Sequence, residues 1–289
     1  MKAYSIFIFI AALLISCGNS EENWSKDQII DHVAQENTTG TGYRDLEGKF
    51  IDYEYVDFGS FRLAIYNNSI KWKGYGGYFD GIVSKVTPKI TKVSEGVYFL
   101  SWVFGENGGD NVVVNFNTKK VYAHLRSGNA DENSPADFEM IHGNVKCGPS
   151  TSCTYPEGEP ISMIEMIFTL YLNTKKFDLP PIFETKKPLI EEHLTARKEL
   201  AEEPIKYQSE KGEVVIQVAG DITKVSINGE NPKEYQTNVT KINNGVYFIS
   251  WLGNDQFGEH IVFNKNQGKV YDHMNFSLER EELIFPEIK

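Results

Sequence analysis

The chain has 289 residues, 40% hydrophobic and 13% aromatic, with 40 acidic and 29 basic side chains and a formal charge of -11. That is enough apolar material for one or two packed cores, and the acidic balance argues against nucleic acid as a partner. After Cys17 no apolar run approaches the roughly 18 residues of a membrane-crossing helix, so none is expected there.

The amino terminus carries Lys2, an apolar run from Ile6 to Ile15, and the small residue Ser16 before Cys17, the pattern of an export signal. A run of about ten apolar residues is too short to span a hydrocarbon core of roughly 30 Å. A buried core helix is the other reading. Leu14-Ile15-Ser16-Cys17 resembles the bacterial lipobox, which implies cleavage before Cys17 and lipidation of that cysteine. Two or three acyl chains, at about 0.8 kcal/mol per buried methylene, would then hold the protein on a bilayer. The acidic stretch after Cys17, with Glu21 and Glu22, resembles the surface-export signal of Bacteroidetes lipoproteins and equally suits a solvated tether. The expected organisation is therefore a signal peptide over 1–16 and a tether over 17–43, anchored in the cell envelope at the outer membrane, on its periplasmic or its surface face.

From Phe50 to Val56 apolar and polar residues alternate, with Ile51, Tyr53 and Tyr55 on one face and Asp52 and Glu54 on the other. Phe61, Leu63 and Ile65, then Ile70 and Trp72, continue the pattern. Further strands are predicted at Gly96–Trp102, Val112–Phe116 and Val121–Leu125, with a polar turn at Gly105–Asp110 and an Asn-Thr-Lys turn before Lys120. Short, evenly spaced strands of this kind suggest a sandwich or a closed barrel.

Cys147 and Cys153 flank a Gly-Pro-Ser-Thr-Ser stretch and read most simply as a disulfide in an exported protein. A metal site with His142 as third ligand is the sharper reading, but the spacing matches no zinc pattern. The run Ile161–Leu172 reads as a strand or a buried helix. Lys186–Glu203, rich in Glu, Lys, Leu and Ala between prolines, is predicted to be a charged linker helix.

The chain also contains an internal duplication. Thr91–Leu125, TKVSEGVYFLSWVFGENGGDNVVVNFNTKKVYAHL, aligns without gaps on Thr240–Met274, TKINNGVYFISWLGNDQFGEHIVFNKNQGKVYDHM, at an offset of 149 (240 minus 91). Tyr98/Tyr247, Trp102/Trp251, Asn115/Asn264, Tyr122/Tyr271 and His124/His273 are among the identical pairs. The expected fold is mainly β: a first antiparallel barrel over 44–175, a linker with a short charged helix over 176–204, and a second, smaller repeat over 205–289 with fewer strands before its motif.

The succession LEGKFIDYEYVDFGSFRLAIYNNSIKW, KVSEGVYFLSW and VVVNFNTKKVYAH is similar to phenolic acid decarboxylases and MoaF-like proteins of the calycin group. The resemblance covers about Gly48–Leu125 and recurs more weakly over Val214–Met274. It implies two tandem lipocalin-like barrels. In the decarboxylases a tyrosine pair orients the substrate carboxylate while a glutamate and an arginine handle proton and charge. Tyr53 and Tyr55 match the tyrosine pair, but Phe104 occupies the glutamate position, Gly253 does so in the second copy, and the arginine position falls near Gly81. A phenylalanine cannot serve as the general acid that protonates the alkene carbon.

Two functions follow. One is a non-enzymatic module that binds a small apolar or aromatic molecule, or an envelope partner, with Tyr53, Tyr55, Trp72 and Phe104 lining the pocket. The other is a lyase rebuilt around Tyr53, Tyr55 and Glu106, although Glu106 in its glycine-rich turn reads as a solvated carboxylate. His124 and His273 read as a satisfied polar cluster at a barrel end, with a ligand-binding or catalytic pair as the alternative. Trp102 and Trp251 read as core. No cofactor and no metal is expected.

Overall fold

The structure is a computed structural model that describes residues 42–66, 69–86, 88–104, 108–127, 137–148, 187–209, 211–252 and 258–273. The signal segment, Cys17, Glu106, Cys153 and the run Ile161–Leu172 lie outside the described residues. No helix among the described residues is long and apolar enough to cross a membrane.

The chain is mainly β. A short helix α1 (Gly42–Leu46) precedes four strands, β1 (Lys49–Tyr55), β2 (Gly59–Tyr66), β3 (Ser69–Tyr75) and β4 (Val83–Val86). The repeat motif then supplies β5 (Lys89–Ser94), β6 (Val97–Phe104), β7 (Gly108–Asn115) and β8 (Lys120–Ser127), and β9 (Asp137–Cys147) follows. All nine form one curled antiparallel sheet in the order β4-β3-β2-β1-β9-β8-β7-β6-β5. Strand β9 joins its halves by pairing with both β1 and β8. Among the described residues no hydrogen-bonded ladder links the outer strands β4 and β5, so backbone pairing leaves the sheet open there.

The alternation read in the sequence decides the faces. Ile51, Tyr53 and Tyr55 of β1, Leu63 and Ile65 of β2, Trp72 of β3, Leu100 and Trp102 of β6, and Val112 and Val114 of β7 share one buried core on the concave side. Gly143 on β9 is required there, because a Cβ at this position would collide with the Glu54 carbonyl on β1. The Gly105–Asp110 turn is shorter than expected, since β7 already starts at Gly108, which places Asp110 on a strand.

The second unit departs from the expectation of fewer strands before its motif. Helix α2 (Glu191–Leu200) is followed by β10 (Ile205–Ser209), β11 (Gly212–Ala219), β12 (Ile222–Ile227) and β13 (Lys233–Gln236), then by β14 (Asn238–Asn243), β15 (Val246–Trp251), β16 (Glu259–Asn264) and β17 (Lys269–Asp272). Four strands thus precede the motif in each copy. They form two four-stranded sheets, β10 to β13 and β14 to β17. Helix α2 is a packed element of this unit, with Ala196 and Leu200 in its core beside Val239, Trp251 and Ile261. It is also the counterpart of α1. Asp45 on α1 accepts from Lys92 Nζ at 2.9 Å and from the Tyr98 hydroxyl at 3.1 Å. Glu199 on α2 accepts from Lys241 Nζ at 2.7 Å and from the Tyr247 hydroxyl at 2.6 Å, and Lys241 and Tyr247 are the duplicates of Lys92 and Tyr98. At the other end, Gly42 and Tyr43 already belong to the folded first unit, Tyr43 being buried in its core.

The convex faces of the two repeat motifs pack on each other through Val97, Phe99, Val113, Tyr122, Val246, Phe248, Val262 and Tyr271. Within this seam His124 meets Ser250 Oγ at 2.6 Å and Thr240 Oγ1 at 2.9 Å, and stacks on Phe248. Reciprocally, His273 meets Ser101 Oγ at 2.6 Å and Thr91 Oγ1 at 2.9 Å, and stacks on Phe99. Asn115 donates to the Ile242 carbonyl and Asn264 to the Val93 carbonyl, again as exchanged equivalents. The histidines therefore lie at the seam between repeats and not at a barrel end.

Burial lowers the pKa of both histidines well below the ordinary value, with His260 adding repulsion to each, His193 to His124 and Lys89 to His273. Unfolding therefore takes up protons as the pH drops. The contribution of these two histidines should be full above about pH 7 and decline below about 6.5, by about 1.4 kcal/mol per histidine per pH unit until the folded pKa is reached. In urea denaturation at pH 7.5 and 5.5, His124→Gln and His273→Gln together should flatten this slope. His193, which burial holds at about 4, supplies a residual slope.

Candidate functional site

The concave side of the first unit carries the candidate residues. Tyr53 and Tyr55 lie two apart on β1 and face inward together, ring centroids 5.0 Å apart. Phe61 on β2 stacks on Tyr53 at 5.7 Å, meets Tyr55 edge-on at 5.8 Å and reaches Trp72 at 6.3 Å. Phe58 touches Tyr55, and Phe79 closes on Phe58, Phe61 and Trp72. Phe79 arrives there on a tight turn, Gly77–Phe79, that packs against the loop before β2. Gly77 has φ 68° and no room for a side chain, because a Cβ would collide with the Phe58 carbonyl. The result is a buried aromatic cluster whose edge-to-face contacts each contribute about 0.5–1.5 kcal/mol beyond area burial.

Of the residues named from the sequence, Tyr53, Tyr55 and Trp72 are brought together. Phe104 is the last residue of β6, paired with Gly108. Cys147 is disulfide-bonded, which removes it as a thiolate ligand for a metal, and its partner lies outside the described residues. His142 sits on the convex face of β9 opposite Tyr122, away from the tyrosine pair. Among the described residues no group of three His, Cys, Asp or Glu is placed to hold a metal ion.

Asp110 is the residue that sequence reading missed. It pairs across the strands with Trp102 and shares the concave face with Val112 and Val114. Although half-buried, its carboxyl is stripped of enough water that desolvation pushes its pKa up to about 7. Its charge reaches both tyrosines. The phenol of Tyr53 is raised well above the usual range first by burial and then by Asp110, and that of Tyr55 by burial, by Tyr53 and by Asp110. The signal was available in the period-2 alternation, which puts position 110 on the face of 112 and 114 once the strand is extended.

Two buried polar atoms at this corner lack hydrogen-bond partners among the described residues, the Tyr55 hydroxyl and the Trp102 indole Nε1. The Tyr53 phenol is close enough to influence Tyr55 without making a bond of good geometry. A buried donor or acceptor left unsatisfied costs about 1–3 kcal/mol, so the corner is poised to accept polar atoms.

No family model matches the sequence, and the comparison with curated proteins found no match. Among solved structures, the chain is similar to the crystal structure of a "putative beta-lactamase" from Burkholderia vietnamiensis, at 14% identity and a TM-score of 0.30, over 35% of this chain and 93% of that one. A likeness at that level carries no weight for fold or chemistry.

Because the Asp110 pKa is raised on folding, its contribution is fully present below about pH 4 and is lost as the pH rises through 7. Asp110→Asn should therefore gain stability relative to the parent between pH 4 and pH 8. After allowance for partial solvent screening the gain should be about 1–2 kcal/mol, read as the difference between thermal or urea unfolding curves at the two pH values.

Proposed function

We propose that the protein is an exported lipoprotein, cut before Cys17 and anchored by lipid at the outer membrane, that binds a small apolar or aromatic molecule on the concave face of its first β unit. The observation that carries the binding reading is the corner formed by Tyr55, Trp102 and Asp110, where buried polar atoms without partners adjoin a wall of aromatic rings. Flat apolar ligands are taken up by such walls, and a few polar atoms fix their orientation. The similarity to calycin barrels of the MoaF-like and phenolic acid decarboxylase kind agrees with a ligand held inside a curled sheet. Lipid on Cys17 would keep this site at the envelope surface.

A lyase is the second reading, and one observation favours it over the version built on Glu106. Asp110 has a carboxyl titrating near neutrality beside the tyrosine pair, the property wanted of a general acid. Against it, an ionised Asp110 repels the carboxylate of a phenolic acid.

Both readings can be tested on the mature chain with a panel of neutral phenols and hydroxycinnamic acids, following tryptophan fluorescence and substrate absorbance together. Saturable quenching without loss of absorbance is expected, weakened at least about tenfold in Tyr55→Phe/Trp102→Phe. Turnover abolished by Asp110→Asn would establish the lyase instead. For the anchor, Cys17→Ala should shift the protein from the membrane fraction to the soluble one in an exporting host, and mass spectrometry of the native amino terminus should find an acylated cysteine.

A further inference from the structure

The duplication allows the same corner to be compared in the two units. Trp102 and Asp110 fall on Trp251 and Glu259, which form the corresponding cross-strand pair between β15 and β16. In the second unit Glu259 is buried and its carboxylate receives the Lys211 ammonium at 2.9 Å. Two tyrosines, Tyr207 and Tyr235, lie close enough for the Glu259 charge to raise their pKa values, after burial and, for Tyr207, after the Asp272 charge. The second unit therefore holds a carboxylate, a tryptophan, two tyrosines and an ammonium group of its own.

The first unit repeats this set with one member missing. Asp110 takes the place of Glu259, Trp102 that of Trp251, and Tyr53 and Tyr55 supply the phenols. Among the described residues no lysine or arginine makes an ion pair with Asp110, and desolvation alone accounts for its raised pKa. Asp110 is half-buried, while the rings of Tyr53, Tyr55 and Trp102 are buried.

We infer that the first unit binds an organic ammonium ion, its charged group held between Asp110 and the rings of Tyr53, Tyr55 and Trp102, where the second unit places Lys211. This rests on the ligand-binding reading above and names the ligand's class. A desolvated carboxylate without a counter-ion gains most from a cation, and aromatic faces add cation–π attraction of about 0.5–2 kcal/mol. The Tyr55 hydroxyl and the Trp102 N–H suit an oxygen on the same ligand, so a hydroxylated arylalkylamine fits the set. Anionic ligands meet the Asp110 charge and are disfavoured. Binding draws Asp110 into its ionised form, so affinity should weaken as the pH is lowered below about 7.

The test uses three molecules of one shape on the mature chain: tyramine as the cation, 4-ethylphenol as the neutral form and 3-(4-hydroxyphenyl)propanoate as the anion. Calorimetry at pH 8 should find tyramine bound at least about tenfold more tightly than 4-ethylphenol, the anion weakest, and the tyramine preference reduced at pH 6. Asp110→Asn, checked for folding by circular dichroism, should bring tyramine and 4-ethylphenol to equal affinity. Lys211→Met, which vacates the equivalent place in the second unit, should raise the tyramine stoichiometry from one to two if that variant remains folded. Equal binding of the cation and the neutral phenol by the parent, or a cation preference that survives Asp110→Asn, would overturn the ammonium assignment and leave aromatic binding standing. Absence of binding by all three would overturn both.

Discussion

Each repeat motif presents on its convex face a histidine whose two ring nitrogens are both used by hydroxyls of the other motif, His124 by Ser250 and Thr240, His273 by Ser101 and Thr91. The hydroxyls can donate or accept and so satisfy both nitrogens, and it is burial that favours the neutral imidazole. The stacked phenylalanines and the exchanged asparagine bonds follow the same two-fold exchange. The seam has the logic of a symmetric homodimer interface, in which one patch serves both partners, carried here within a single chain. This contact consumes the convex faces, and the candidate residues lie on the concave side of the first unit.

Around that shared seam the copies have diverged in two ways that bear on function. The first unit gains β9, which bridges β1 and β8 and turns two four-stranded halves into one continuous sheet. In the second unit the described strands remain two separate sheets. The second difference lies in the concave acids. Glu259 has its lysine, while Asp110 has a carboxyl raised to about 7 and two tyrosines in its field.

The aromatic cluster sets the limits of that site. Its rings contact one another through Phe61, and Phe79 closes on Phe61 and Trp72. In the proposed binding reading Tyr53 and Trp72 form the wall, and Tyr55 and Trp102 supply the polar atoms. This divides roles among residues that the sequence could only group by hydrophobicity.

The sequence by itself determined the β class, the faces of β1 to β3 and the duplication, because strand alternation and gapless identity are properties of neighbouring positions. It also placed Tyr53, Tyr55 and Trp72 on an inward face. Only the tertiary structure decided that His124 and His273 join the two repeats, that the charged helix is the second unit's counterpart of α1, and that Asp110 belongs with the tyrosine pair. In each case the partner is distant in sequence, and the interaction exists only once strands are set in register. Histidines 149 residues apart (273 minus 124) carry no local sign of being exchanged. A lone aspartate after three turn-like residues looks solvated until the strand that holds it is extended and its water is removed.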